Sequence, residues 1–248
     1  MTPDQFGLAP STFLRSPNVD KQRLFDKELD ELKKKLIHMA ALVETMIDKT
    51  ITELVKRDES VAAKVPAYEE ELNRLQIEID EAALTLLATQ QPVASDLRFI
   101  VAATRINSDL ERIGDLVINI TENVHVLVQQ PPLKPLIDIP RMAELVRRMV
   151  RESLDAFVSG DARLAQTVIM TDDQVDGLKD QVIRELLTYM MSDPRAIERA
   201  MALIFVARHL ERIADHATNI AEDVIYMTQG RDVRHPRTPK ERPPELEL

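Results

Sequence analysis

The chain contains no cysteine, which excludes disulfides and any thiolate chemistry and suits a reducing compartment. No apolar run approaches the ~18 uncharged residues of a membrane span, and the first residues lack a secretion-signal pattern. The expectation is a soluble, cytoplasmic protein. A positive balance is missing too: the formal charge is −10, which argues against a nucleic-acid binder and fits cation binding or a basic partner. The sequence has no Gly-rich phosphate loop, no Gly-x-Ser-x-Gly and no His-Glu-x-x-His. With no nucleophile arrangement in view, the expectation is a protein that is not an enzyme. Glycine numbers only 5 in 248 residues, and Ala, Leu, Glu, Lys and Arg take its place, a composition that leans to helix.

What the chain does have is a repeat. Leu110-Glu111-Arg112-Ile113-Gly114-Asp115 with Asn119 returns as Leu210-Glu211-Arg212-Ile213-Ala214-Asp215 with Asn219, a shift of 100 (211 − 111). Self-similarity at a fixed period sets the fold reading before anything else. Apolar residues spaced by threes and fours predict a long helix from Lys21 to about Arg57. A second helix carries Leu72, Leu75, Ile79 and Leu86, with Asp58 or Ser60 as cap and Pro66 in its first turns. Pro92 is expected to open a third, whose seam runs Ile106, Leu110, Ile113, Val117, Ile120, Val124. The second half repeats this plan: Asp161 answers Asp58 and Asp176 answers Asn73, both at a shift of 103 (176 − 73). Asp193-Pro194 stands as cap and first turn of the last helix.

The predicted fold is therefore all-α, six long helices forming two pseudo-symmetric antiparallel three-helix bundles in tandem. The expected limits are a mobile arm at 1–20, a first bundle at 21–130 and a Pro-rich linker at 131–140. A second bundle at 141–229 and a disordered tail at 230–248 complete the chain.

Glu111, Asp115 and Asn119 stand four residues apart, so their oxygens stack along one helix face, and Glu211, Asp215 and Asn219 do the same. Heptad counting turns both sets away from the seams. On the preceding helices it sets Asp173 and Asp176, with Asp180, across from Glu211 and Asp215. In the first half it sets Glu70 and Asn73 opposite Glu111, Asp115 and Asn119. Crowded carboxylates resist ionisation unless a cation compensates, and oxygen-rich clusters suit hard or borderline divalent and trivalent metals. The expectation is one surface metal site per bundle, the second better supplied, since Asp176 and Asp180 stand where the first half has Asn73 and Ile77. The plainer alternative is a solvated face whose acids pair with Arg112 and Arg212 as surface salt bridges.

Two other readings compete. A di-iron carboxylate oxidase or storage protein needs Glu-x-x-His on two helices, and only Glu122/His125 matches, because the counterpart of His125 is Ile225. A purely structural helical adaptor would keep the seams without matched acids. His216 is read as an exposed surface histidine, and Ile77, at an outward position, as a hint of a contact surface.

The tandem motifs, together with Val93-Ala94-Ser95-Asp96-Leu97-Arg98 after Pro92 and Val175-Asp176, resemble the PhoU family of phosphate-transport regulators over residues 21–229. The resemblance implies a cytoplasmic, often dimeric negative regulator of the phosphate-starvation response. It implies as partners the ATPase subunit of a phosphate ABC transporter and a membrane-bound sensor histidine kinase, so that the membrane is met only indirectly. It further implies surface clusters of iron or zinc, with magnesium or manganese as further candidates. The family's acid-x-x-x-Asp pattern is matched here by Glu111/Asp115, Glu211/Asp215, Asp172/Asp176 and Asp176/Asp180.

Overall fold

The computed structural model describes residues 17–233, with side chains from Phe25 onward. The expected arm and tail therefore fall, at residues 1–16 and 234–248, outside the described residues. Six long helices account for nearly all the rest: α1 (Pro17–Lys56), α2 (Val65–Gln90), α3 (Ser95–Val128), α4 (Asp138–Ser159), α5 (Ala162–Ser192) and α6 (Ile197–Gln229). A short 3₁₀ turn, Pro194–Ala196, leads into α6. Among the described residues there is no strand, and the architecture is the predicted all-α tandem of pseudo-symmetric three-helix bundles.

The helices form because each carries one apolar stripe at helical spacing. Leu36, Met39, Val43 and Met46 of α1 are fully buried, as are Ile106, Leu110, Ile113 and Val117 of α3. The second half repeats these positions with Ile139, Met142, Val146 and Met149, then Val206, Leu210, Ile213 and Ala217, all at 1% exposure or less. Each such side chain contributes about 1.5–3 kcal/mol through its removal from water.

The caps differ from expectation in three places. Asp58 does not cap α2; its carboxylate accepts from the backbone N–H of Ser60 at 3.0 Å, closing a local turn, and α2 starts only at Val65. Pro92 does not open α3 but lies in the turn before it, between Gln91 (φ 49°) and Ala94 (φ 46°), and α3 begins at Ser95. Helix α1 begins at Pro17, earlier than the predicted Lys21. The second half follows the cap chemistry closely. Asp161 accepts from the N–H groups of Arg163 (2.8 Å) and Leu164 (3.1 Å), and Asp193 from that of Arg195 (2.9 Å).

Within each half the three helices contact one another in turn, and the halves join through α3 against α6 and α1 against α4. The α3–α6 pairing is antiparallel, since partners descend in α6 as they ascend in α3. Arg98 Nε donates to the Met227 carbonyl at 3.1 Å, Arg105 meets Asp223 at 2.9 Å, and Asp109 meets His216 at 2.8 Å. Phe99 of α3 stacks on Phe157 of α4 with centroids 5.0 Å apart. Both halves thus share one continuous core. The Pro-rich stretch is pinned as well: Lys134 is buried and bonded to Glu185 of α5.

Candidate functional site

Each half sets its acidic motif along the groove between its second and third helices. In the second half the buried stripe of α5 runs through Val168, Thr171, Val175, Leu178 and Val182. Residues 172, 176 and 179 flank that stripe on the side of α6 and are half-buried. There Asp172 and Asp176 meet Glu211 and Asp215. Desolvation first, and then the charges of Asp215, Asp176, Asp173 and Glu211, together raise the Asp172 carboxyl to about 6. Asp215 is also held above the usual carboxylate range, by desolvation first and then by Glu211 and Asp176.

One cation sits in this cluster. The Lys179 ammonium is 3.0 Å from Asp176, 3.3 Å from Glu211 and 3.7 Å from Asp180. Its hydrogen bond to Asp176 holds it above its ordinary range. Lys179 escaped the sequence reading, although its place three residues after Asp176 put it on the same face.

The first half is built alike with weaker means. Arg112 bridges Glu111 (3.5 Å) and Asp115 (3.4 Å), the salt-bridge arrangement foreseen as the plain alternative. Desolvation, then the Asp115 charge, raises the Glu111 carboxyl. Across the groove stands Glu69, bonded to Asn73 Nδ2 at 2.8 Å, and its charge acts on Glu111. The residue expected there, Glu70, is exposed one position to the side. Asp173 is displaced in the same way: it is exposed, and Asp172 takes the groove position assigned to it. Both slips are of one residue, about 100° of rotation on a helix and more than the ~20° by which a heptad count drifts per heptad; packing chose which flank of the buried stripe faces the third helix. Glu69 and Asp172 are related by the shift of 103 (172 − 69), so the repeat itself carried the correct register.

Glu111 and Glu211 are less outward than the count implied, with side chains 17% and 24% exposed. Asn119 and Asn219 do not join the groove acids, unlike Asn73. Asn219 Nδ2 turns to Asp109 at 3.4 Å. Asn119 is exposed, and its backbone carbonyl accepts from Asn123. Asp180 is exposed and reaches the cluster only through Lys179. His216 is not a free surface histidine: it is half-buried between the bundles, its Nδ1 on Asp109. No three His, Asp or Glu side chains among the described residues are set in metal-holding geometry. The carboxylates are gathered, with an ammonium or a guanidinium between them. Ile77 is well exposed, as expected.

Comparison with known proteins agrees with this architecture. A family model described as the PhoU domain matches twice, at residues 36–124 and 139–224. The chain is 46% identical over 209 residues to the "phosphate-specific transport system accessory protein PhoU homolog" of Aquifex aeolicus, covering 84% of this chain and 95% of that one. The crystal structure of PhoU from Pseudomonas aeruginosa superposes with a TM-score of 0.80 at 38% identity, covering 84% of this chain and all of that one. The phosphate transport system regulatory protein PhoU from Streptococcus pneumoniae gives 0.76 at 29% identity, covering 84% and 99%.

Proposed function

The chain belongs to the PhoU family, and on that premise we propose that it is an accessory protein of a phosphate-specific transport system. In this reading it is a cytoplasmic, non-catalytic negative regulator of phosphate uptake and phosphate-starvation signalling. It bridges the ATPase subunit of the transporter and a membrane-bound sensor histidine kinase, and it works as a homodimer. The observation that carries the reading is the acidic motif kept in both halves, at equivalent grooves of a rigid helical body. No helix among the described residues is long and apolar enough to cross a membrane; in this reading the membrane is met through the partners.

A metal at each groove, iron or zinc first and magnesium or manganese next, belongs to the same proposal. The chemistry of the donors suits such an ion, although no three of them stand in ion-holding geometry: Asp172, Asp176, Glu211 and Asp215 offer carboxylate oxygens only, and the carboxyl of Asp172, pushed up to about 6, marks a field that a cation relieves. Asp115, Glu111, Glu69 and the amide of Asn73 would serve the first half, where Arg112 now neutralises two of them. Lys179 and Arg112 compete with a metal for these same oxygens. A bound ion would supply positive charge, with open positions that phosphate or a partner's carboxylate can take.

Deletion of the protein under phosphate excess tests the regulatory role. Constitutive expression of phosphate-uptake genes supports it, and normal repression refutes it. Capture of the ATPase subunit and the kinase, with and without chelator, tests the metal's part in bridging. Metal content unchanged in Glu211→Ala/Asp215→Ala removes the second site.

A further inference from the structure

One turn along α2 and α3 from the acidic groove of the first half, α1, α3, the start of α2 and the stretch 58–64 form an open cleft of 560 Å³. Its walls are mostly apolar, formed by Ala62, Ala63, Pro66 and Ile118, and its polar groups are Glu53, Glu59, Thr121, Glu122 and His125. Glu53 is the telling residue. It is 3% exposed, yet no lysine or arginine lines the cavity. One carboxylate oxygen accepts from the Ala62 N–H at 3.1 Å; no donor among the described residues reaches the other. The second oxygen opens onto the cleft; holding a carboxylate this deep is costly, and desolvation raises this one above its usual range.

The fold does not require that cost, because the second half builds the same corner without it. The shift of 103 that carries Asp58 to Asp161 takes Glu53 to Ala156. The shift of 100 takes Thr121 to Ala221 and His125 to Ile225. All three counterparts are buried and apolar. The cavity itself exists because the chain stays unwound from 58 to 64, where α5 starts directly after Asp161. Glu122/His125, which failed as half of a di-iron motif, thus belongs to this corner. Its donors are two exposed carboxylates, one buried carboxylate and a histidine, with no three of them set to hold an ion.

We propose that this cavity binds a small organic cation, a primary ammonium or guanidinium group on a short apolar stem, with Glu53 as its buried counter-charge. The volume falls within the ~300–1,000 Å³ of small-molecule sites, and apolar walls with a few placed polar groups are their usual make-up. A guanidinium offers a planar fork of donors that a carboxylate accepts. Glu59 and Glu122 add negative charge at the mouth, and both are exposed.

The test is titration of the full chain with n-butylguanidinium, followed by amide chemical shifts and calorimetry, with n-butanol as the neutral control. Saturable binding of the cation and not of butanol, with shifts confined to the cavity, is the expected result. Glu53→Gln keeps an oxygen for the Ala62 N–H and removes the charge; it should weaken binding about tenfold or more. Glu53→Ala/Thr121→Ala/His125→Ile copies the composition the second half already packs, so it should fold and bind nothing. Absence of binding by the wild type, or equal binding by Glu53→Gln, overturns the proposal. n-Butylammonium and the capped tripeptide Gly-Arg-Gly, run as competitors, separate a free amine from a protein's basic side chain as the source. Tighter binding of either one supports the site and assigns its source.

Discussion

Replacing Asp172 by Asn should stabilise the metal-free protein at neutral pH, against the usual direction for substitutions in a groove between helices. The Asp172 carboxyl moves from 3.8 to about 6 on folding. Each pKa unit is worth about 1.36 kcal/mol, so the limit is roughly 3 kcal/mol; solvent screening of a half-buried group brings this to about 1–2. The sign follows from proton counts. Between about pH 4 and pH 6 the folded state keeps a proton that the unfolded state has lost, so this group's effect on stability becomes less favourable as pH rises. Below that window the penalty is absent, and above it the penalty is complete. Asn carries none of it. Urea unfolding in chelator across this range should therefore show variant and wild type diverging as pH rises, the variant ahead, then running parallel above about pH 6.5. With saturating zinc or iron the order should reverse, because the variant loses a ligand. Curves that stay parallel throughout in chelator, or a variant that is less stable at neutral pH, would refute the reasoning.

Three further outcomes are expected. Lys179→Met removes the ammonium from among Asp176, Asp180 and Glu211; thermal unfolding should drop in chelator, and the rise on adding zinc should exceed that of the wild type. Gly114→Ala sets a Cβ 2.7 Å from Leu72 Cδ2, where carbon contacts prefer ~3.5–4.0 Å, so it should cost about 1–2 kcal/mol despite alanine's better helix propensity. Leu72→Val should rescue it, since the repeat counterparts are Ala214 and Val175, and strict additivity in a double-mutant cycle would contradict the contact. Asp161→Ala removes two N-cap bonds and should cost about 1 kcal/mol in denaturant unfolding.

The two halves are equal in fold and unequal in chemistry. Both keep the acid-x-x-x-Asp motif, but the second gathers Asp172, Asp176, Glu211 and Asp215, with Lys179 on Asp176 and Glu211, while the first has Glu69, Asn73, Glu111 and Asp115 with Arg112 across two of them. The inequality runs the other way at the Glu53 corner, polar in the first half and apolar in the second. A duplicated body keeps its stripe of core residues in both copies because each must bury it; surface and corner residues carry no such constraint.

By itself the sequence determined the helices, their pairing in tandem and the membership of Glu111, Asp115, Glu211 and Asp215 in a repeated motif. These are read from spacing along one chain, and burial enforces that spacing at every core position. Tertiary structure decided what faces what. Whether Asp172 or Asp173 enters the groove is a difference of about 100° of rotation, settled by which flank of the α5 stripe packs towards α6. The seat of Lys179, the bond of His216 to Asp109 and the cleft at Glu53 each join residues from separate elements. No local pattern encodes such pairs. They arise only when the α5–α6 and α3–α6 contacts and the unwound stretch 58–64 set the distances between them.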